Sequence, residues 1–272
     1  MTQDLVRYLI SHRGLGDTPA VLLFGGPSVM HGGTRLDVPE GGKRLLVLIA
    51  LADAKVDRRH AAGSLWPDGN DERAAGNLRS ALWRLRCSGI DVVESDKQFL
   101  WLRPGTLVDV TVVSDWTERL AEGSVTRADL RAVTWRTVAM DLLPGWYDDW
   151  VIFERERIRQ RLLHALEALS RHLLAECRFA EAVEAAIVAV SADPLRETAN
   201  RILVEAHLAE GNLVEARRSY TRYRDLIGRE LGVEPGHELT SLVRSDRRQP
   251  AEPGSGRVPP ARARLLAAPS AR

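Results

Sequence analysis

The chain has 272 residues, 44% hydrophobic and 28% charged, a soluble-protein profile with room for two domains of ordinary size. Its 38 lysines and arginines nearly balance its 37 aspartates and glutamates, so any argument for a nucleic-acid partner has to rest on local charge placement. Cys87 and Cys177 lie far apart and outside any CxxC spacing, which argues against a disulfide framework or zinc site, and the longest apolar run, Leu45 to Ala52, is too short to cross a bilayer.

In chain order, Leu5, Val6, Leu9 and Ile10 could line one face of a short helix, which Gly14, Gly16 and Pro19 would break. No apolar core with a small-residue cleavage site follows the N-terminus, so no secretion signal is expected. Val21 to Phe24 reads as a strand, and Val29 to Val38 as a hairpin around His31-Gly32-Gly33. After Gly41-Gly42, the run from Lys43 to Ala52 reads as a short buried helix. Arg58 to Trp66 reads as a second helix, stopped by Pro67. A third helix, which Asp71 or Asn70 can cap, is expected to run to about Cys87. Ile90 to Val93 and Phe99 to Leu102 form a hairpin about the polar Ser95-Asp96-Lys97 turn, and Pro104-Gly105 leads into a last short strand, Leu107 to Val110.

From Val112 onward the pattern is helical: Val112–Glu122, Arg127–Thr134, Trp150–Glu176, Phe179–Ser191, Leu195–Glu210 and Leu213–Leu231. Leu174, Ala175, Glu176, Glu181 and Ala182 recur thirty-four residues later as Leu208, Ala209, Glu210, Glu215 and Ala216, the tetratricopeptide period. Asp193-Pro194 ends one helix and opens the next. The tail from Asp246, rich in Pro, Arg, Ala and Gly and without periodicity, is expected to be disordered. The expected fold class is therefore mainly α with a small β component. A winged helix-turn-helix (21–110) precedes an all-helical tetratricopeptide-like domain (111–245), between an N-terminal extension (1–20) and a tail (246–272).

The third helix carries the functional signal. At about 100° per residue, Ala74, Leu78, Ala81, Leu82 and Leu85 fall on one side, and Arg73, Gly76, Arg79, Ser80, Trp83 and Arg84 on the other. Between Arg73 and Arg86 there are four arginines and no acid. Arginine suits bidentate contact with guanine edges and pairing with phosphates, and serine and asparagine add short hydrogen-bonding groups. An arginine-bearing helix face alone is more often just solvated. Two short helices before it and a β-hairpin after it are what turn this one into a recognition-helix candidate.

The stretch Gly41 to Arg86, with Ser64-Leu65-Trp66-Pro67-Asp68 and the run from Asn77 to Arg86, resembles the DNA-binding half of Streptomyces antibiotic regulatory proteins, an OmpR-type winged helix. The segment from Leu142 to Trp150 resembles the opening of the bacterial transcriptional activator domain, and Leu231 to Leu239 resembles its exit. The resemblance covers roughly Val21 to Val243 and, as a family, includes larger members that continue into ATPase and sensor domains, beside which this chain looks like a small stand-alone member. It implies that Arg79, Ser80, Trp83 and Arg84 contact DNA, with Arg73 and Arg86 nearer the helix ends and Asn77 at the margin of the face. It implies a wing at Val92–Leu102 with Lys97 at its tip near the minor groove. The loop from Trp66 through Asp68 to Asp71 would face RNA polymerase, although a helix connector in which Asp71 merely caps explains that loop equally well. Trp66 itself ends an apolar helix face and reads as core, and Trp146 and Trp150 as packing against the first long helix.

The implied function is that of a cytoplasmic, nucleoid-associated transcription activator. It would bind promoter direct repeats, form a homodimer on DNA, recruit RNA polymerase holoenzyme and control a biosynthetic gene cluster, with no cofactor and no membrane partner. The rival reading is a tetratricopeptide-type adaptor that binds protein and not DNA. An enzyme finds no site: Gly14 and Gly16 are a fragment of a dinucleotide fingerprint, no GxxxxGK[ST] run occurs, and His164 and His172 lie eight residues apart, which is not a ligand spacing.

Overall fold

The computed structural model describes residues 9, 18–52, 54–134 and 141–245. The N-terminal helix expected around Leu5 and the disorder expected beyond Asp246 lie outside these residues, although Leu9 itself is buried in the core.

The N-terminal half begins with strands β1 (Ala20–Leu22), β2 (Ser28–His31) and β3 (Thr34–Asp37). They form an antiparallel meander that β7 (Leu107–Val108) joins in parallel alongside β1. Between β3 and β7 lie helices α1 (Glu40–Ala50), α2 (Arg58–Leu65) and α3 (Asp71–Cys87), and a second sheet in the order β4-β6-β5. β5 (Val93–Ser95) and β6 (Phe99–Leu102) are the two arms of the wing, and β4 (Val56–Asp57) pairs with β6. β4 is too short to carry a sequence period; it exists because β6 offers it a partner.

Local chemistry fixes the helix ends. The Asp57 carboxylate accepts from the Arg59 and His60 amides at 2.9 and 3.0 Å and starts α2. Asn70, not Asp71, is the cap of α3, accepting from the Arg73 amide at 2.9 Å. Asp71 and Glu72 then occupy the first turn and Arg84 and Arg86 the last, the arrangement that complements the helix dipole. α1 and α3 approach so closely that a Cβ on Gly42 would sit 2.7 Å from Leu85 Cδ2, so no larger residue fits there without a shift.

The C-terminal half is helical: α4 (Asp109–Glu122), a 3-10 turn (Asp129–Thr134), α5 (Asp149–Ala175), α6 (Phe179–Ala192), α7 (Glu197–Ala209), α8 (Leu213–Leu231) and α9 (His237–Ser245). α4 starts earlier than its apolar period shows, because Asp109 takes up the first helical position straight after β7. The repeat has a structural counterpart: α5 and α7 end at Ala175 and Ala209, α6 and α8 begin at Phe179 and Leu213, and Ala182 and Ala216 are both fully buried. The shared alanines let successive helices approach. An Arg196–Glu167 pair at 2.6 Å, with Thr198 on the same carboxylate oxygen, ties the start of α7 to α5. No helix among the described residues is long and apolar enough to cross a membrane.

The two halves share a core that runs from Val21 through Leu85 and Trp116 to Leu173. Their junction is hydrogen-bonded as well as apolar. Asp109 Oδ2 accepts from the Leu23 and Phe24 amides at 2.7 and 2.9 Å. The segment before α5 lies along the same end of β1: Gly25 N–H donates to the Asp141 carbonyl, Leu143 N–H donates to the Leu23 carbonyl, and Phe24 bridges to Leu142. Leu143 is held at φ 50°, a left-handed conformation that side chains bearing a Cβ rarely adopt. Arg155 of α5 secures that turn, donating to the carbonyls of Leu142, Leu143 and Trp146 at 2.7–3.0 Å. An Arg44–Asp148 ion pair adds a link from α1.

Candidate nucleic-acid interface

The face expected to read DNA is built by the amphipathic period of α3. Ala74, Leu78, Ala81, Leu82 and Leu85 are buried, so the remaining positions have to point away from the core. Arg73, Arg79, Ser80, Trp83, Arg84 and Arg86 are exposed and Asn77 is half-buried, at the margin of the face. Trp83 is 66% exposed, an unusual position for a tryptophan that has no core to enter. No carboxylate pairs with the four arginines among the described residues. The Ser80 hydroxyl donates to the Gly76 carbonyl at 3.1 Å, which leaves its lone pairs outward.

Arg84 is exposed, yet its guanidinium lies over Gly41 at the start of α1, where a Cβ would collide with it. In this conformation it packs against α1; contact with DNA requires it to swing away. Arg79 stays over its own helix, its Nη2 3.7 Å from where a Cβ on Gly76 would lie.

The wing follows α3 in the chain. Asp96 shapes its turn, accepting from the Gln98 and Phe99 amides at 2.7 Å each, and those bonds hold its carboxyl below the usual range. Lys97 and Gln98 are exposed at the turn. At the base of the wing Arg103 pairs with Asp91 at 2.7 Å and Trp101 Nε1 donates to Glu94 at 3.0 Å. In the loop before α3, Trp66 is half-buried against the core and Asp68 is exposed; Asp71, expected in that loop, is the first residue of α3 and also exposed. Trp146 and Trp150 are half-buried against that same core.

Two features of this region escape sequence reasoning. The cations Lys55 and Arg58 join the wing only through the β4–β6 pairing, which leaves no mark in the sequence. Asp109 reads as a polar position within the last short strand, which in the structure stops at Val108, although an acid immediately before an apolar helical run is a cap-like signal that could have singled it out.

Comparison with known proteins agrees with this architecture. Residues 111–245 match the family model of the bacterial transcriptional activator domain. The chain is 28% identical over 215 residues to the regulatory protein AfsR of Streptomyces griseus, an alignment covering 74% of this chain and 21% of AfsR. Its fold is similar to that of EmbR from Mycobacterium tuberculosis, solved in complex with a low-affinity phosphopeptide, with a TM-score of 0.64 at 18% identity over 86% of this chain and 66% of EmbR. The chain thus spans about a fifth of AfsR and 66% of the EmbR chain. Over residues 111–245 the chain thus matches a bacterial transcriptional activator domain, and over 74% of its length it is similar to a Streptomyces regulatory protein.

Proposed function

We propose that this chain is a sequence-specific transcription activator acting in the cytoplasm on promoter DNA. The winged helix (21–110) reads the DNA, and the helical domain (111–245) supplies contacts to a second copy and to RNA polymerase holoenzyme, through which it controls a biosynthetic gene cluster. The observation that carries this reading is the outer face of α3: four arginines without acidic partners among the described residues and an exposed tryptophan, on a helix followed by a wing with Lys97 exposed at its turn. Asp68, exposed on the loop ahead of α3, and Asp71, exposed at its first position, are the groups this reading turns toward polymerase.

The direct test uses duplexes enriched from a random library by the wild-type protein, with scrambled duplexes as controls. Arg79→Ala should cost about 1–3 kcal/mol of binding, and Arg84→Ala a similar or smaller amount because its guanidinium starts against α1. A base-reading arginine relaxes specificity at one position, whereas a phosphate-binding one weakens all sequences alike. Fluorescence anisotropy separates the two. Wild-type binding by both variants on both duplexes removes α3 from the interface.

Two molecules should occupy each operator, head to tail on direct repeats. The winged-helix region is almost charge-neutral, so one domain gains little from counterion release. Joining two through the helical region makes the second contact intramolecular. Binding on one face of the duplex needs half-sites about 10–10.5 base pairs apart, or a multiple of that. Inserting about five base pairs turns the second half-site to the opposite face and should sharply weaken the complex, whereas a full turn should weaken it less. Mobility shifts over graded spacers, read with the mass of the shifted complex, decide the matter; a one-protein complex indifferent to spacing leaves a monomeric regulator.

A further inference from the structure

Two surfaces of the helical domain carry side chains that the chain itself leaves uncovered. The first opens α5. Asp149, Ile152 and Phe153 are spaced three and four residues apart and share one face of its first turns. Phe153 is 77% exposed and Ile152 43%, and Tyr147, just ahead of the helix, is 82% exposed. Apolar and aromatic side chains grouped in this way mark a contact surface. Glu154 on the same turn pairs with Arg157, whereas Asp149 has no ion pair among the described residues.

The second is a groove of about 620 Å³ along α8, lined by Val214, Arg217, Arg218, Thr221, Arg222 and Asp225. These positions flank or oppose the stripe of Ala216, Tyr223 and Ile227 that α8 buries. Arg218 is engaged with Glu215, and Asp225 with Arg224. Arg222 has no acidic partner among the described residues, and Arg217 Nε is buried without a hydrogen-bond acceptor. Such an N–H is costly until an acceptor reaches it.

The two chemistries match. Guanidinium planes stack on aromatic rings and pair with carboxylates, and the α5 face offers both. Within one chain the match is not made, because Tyr147 and Phe153 stand in solvent and leave the groove empty. We infer that the α5 face of one copy seats in the α8 groove of the next. Phe153 and Tyr147 lie against Val214 and the arginine planes, and the Asp149 carboxylate accepts from Arg217. Different surfaces of the two copies meet, so the contact is head to tail and not two-fold symmetric. Direct repeats call for that polarity, and the inference rests on the two-copy reading above.

The test is sedimentation equilibrium of the full chain without DNA, at graded protein concentrations. Asp149→Ala with Phe153→Ala removes the face, and Arg217→Ala with Arg222→Ala removes the groove. Either variant alone should self-associate roughly tenfold or more weakly than wild type, the loss expected when aromatic or arginine anchors are truncated. Mixed in equal amounts, the two should associate at wild-type strength and stop at two copies, since one keeps an intact groove and the other an intact face. Thermal melts check folding. A double variant that melts early is replaced by Phe153→Ala or Arg222→Ala alone, both at exposed positions. A wild-type chain that stays monomeric, or a mixture no better than either variant alone, overturns the contact. Both variants should bind a duplex with a single half-site as wild type does. Wild-type protein that self-associates but binds no duplex overturns the DNA-binding reading and leaves the contact standing.

Discussion

Leu82→Ala should destabilise the N-terminal half by about 2–5 kcal/mol, the usual cost of emptying a leucine-sized volume in a packed core. Leu78→Ala and Leu85→Ala should do the same, since both side chains are among the largest that are fully buried. Leu85 has the least room to relax, being wedged against Gly42 where α1 crosses α3. Arg84→Ala and Arg79→Ala, on the outer face, should change stability by no more than about 0.5 kcal/mol. Thermal or urea melts of the five variants measure this directly. The contrast separates fold from function on one helix: alternate positions of α3 lose either stability or DNA affinity. If the arginine variants melt early and the leucine variants do not, α3 is rotated relative to the core and the assigned DNA face is wrong.

Asp109→Asn should weaken the junction between the two halves, and by an amount that depends on pH. Its side chain is 1% exposed and accepts from the amides of Leu23, Phe24 and Val110. Burial pushes its pKa up to about 7, and the three amides oppose that rise without cancelling it. Asparagine keeps the shape but has one acceptor oxygen for three donors, a loss of about 1–3 kcal/mol. In the unfolded chain an aspartate titrates near pH ~3.9. Between that pH and about 7 the folded protein holds a proton that the unfolded chain has released. The stability Asp109 confers is therefore fully present below about pH 4 and declines as pH rises toward 7, by at most about 1.4 kcal/mol per unit. Asparagine does not titrate. The stability gap between wild type and Asp109→Asn should thus narrow from pH 5 to pH 7.5 in urea melts. A gap that widens over that range would falsify the raised pKa and show that the three amides hold the carboxylate ionised.

These results bear on how the two halves cooperate. A boundary near Val110 follows from the change of pattern in the sequence, and the activator-domain match begins at residue 111. The chain does not, however, come apart cleanly there. Asp109 reaches back to β1, the Leu142–Leu143 turn lies along the same strand end, and Arg44 of α1 pairs with Asp148. The opening of the helical domain is thus part of what supports the strand meander at the start of the winged-helix half.

By itself the sequence determined the features that repeat along one element. The 3.6-residue period separated Leu78, Leu82 and Leu85 from Arg79, Ser80 and Trp83, and the structure buries the first set and exposes the second. The His31-Gly32-Gly33 and Ser95-Asp96-Lys97 turns marked both hairpins, and the thirty-four-residue repeat marked the paired helices. Only the tertiary structure decided what depends on residues far apart in the chain. Asn70 rather than Asp71 caps α3, because the cap is chosen by backbone geometry and not by side-chain type. β4 forms because β6 lies beside it, and with it Lys55 and Arg58 reach the wing. Arg84 lies over Gly41, and Asp109 meets amides about eighty-five positions upstream. Periodicity reports which side of an element faces the core. It is silent on which distant backbone group a buried side chain will meet there, because that is fixed only when the elements pack.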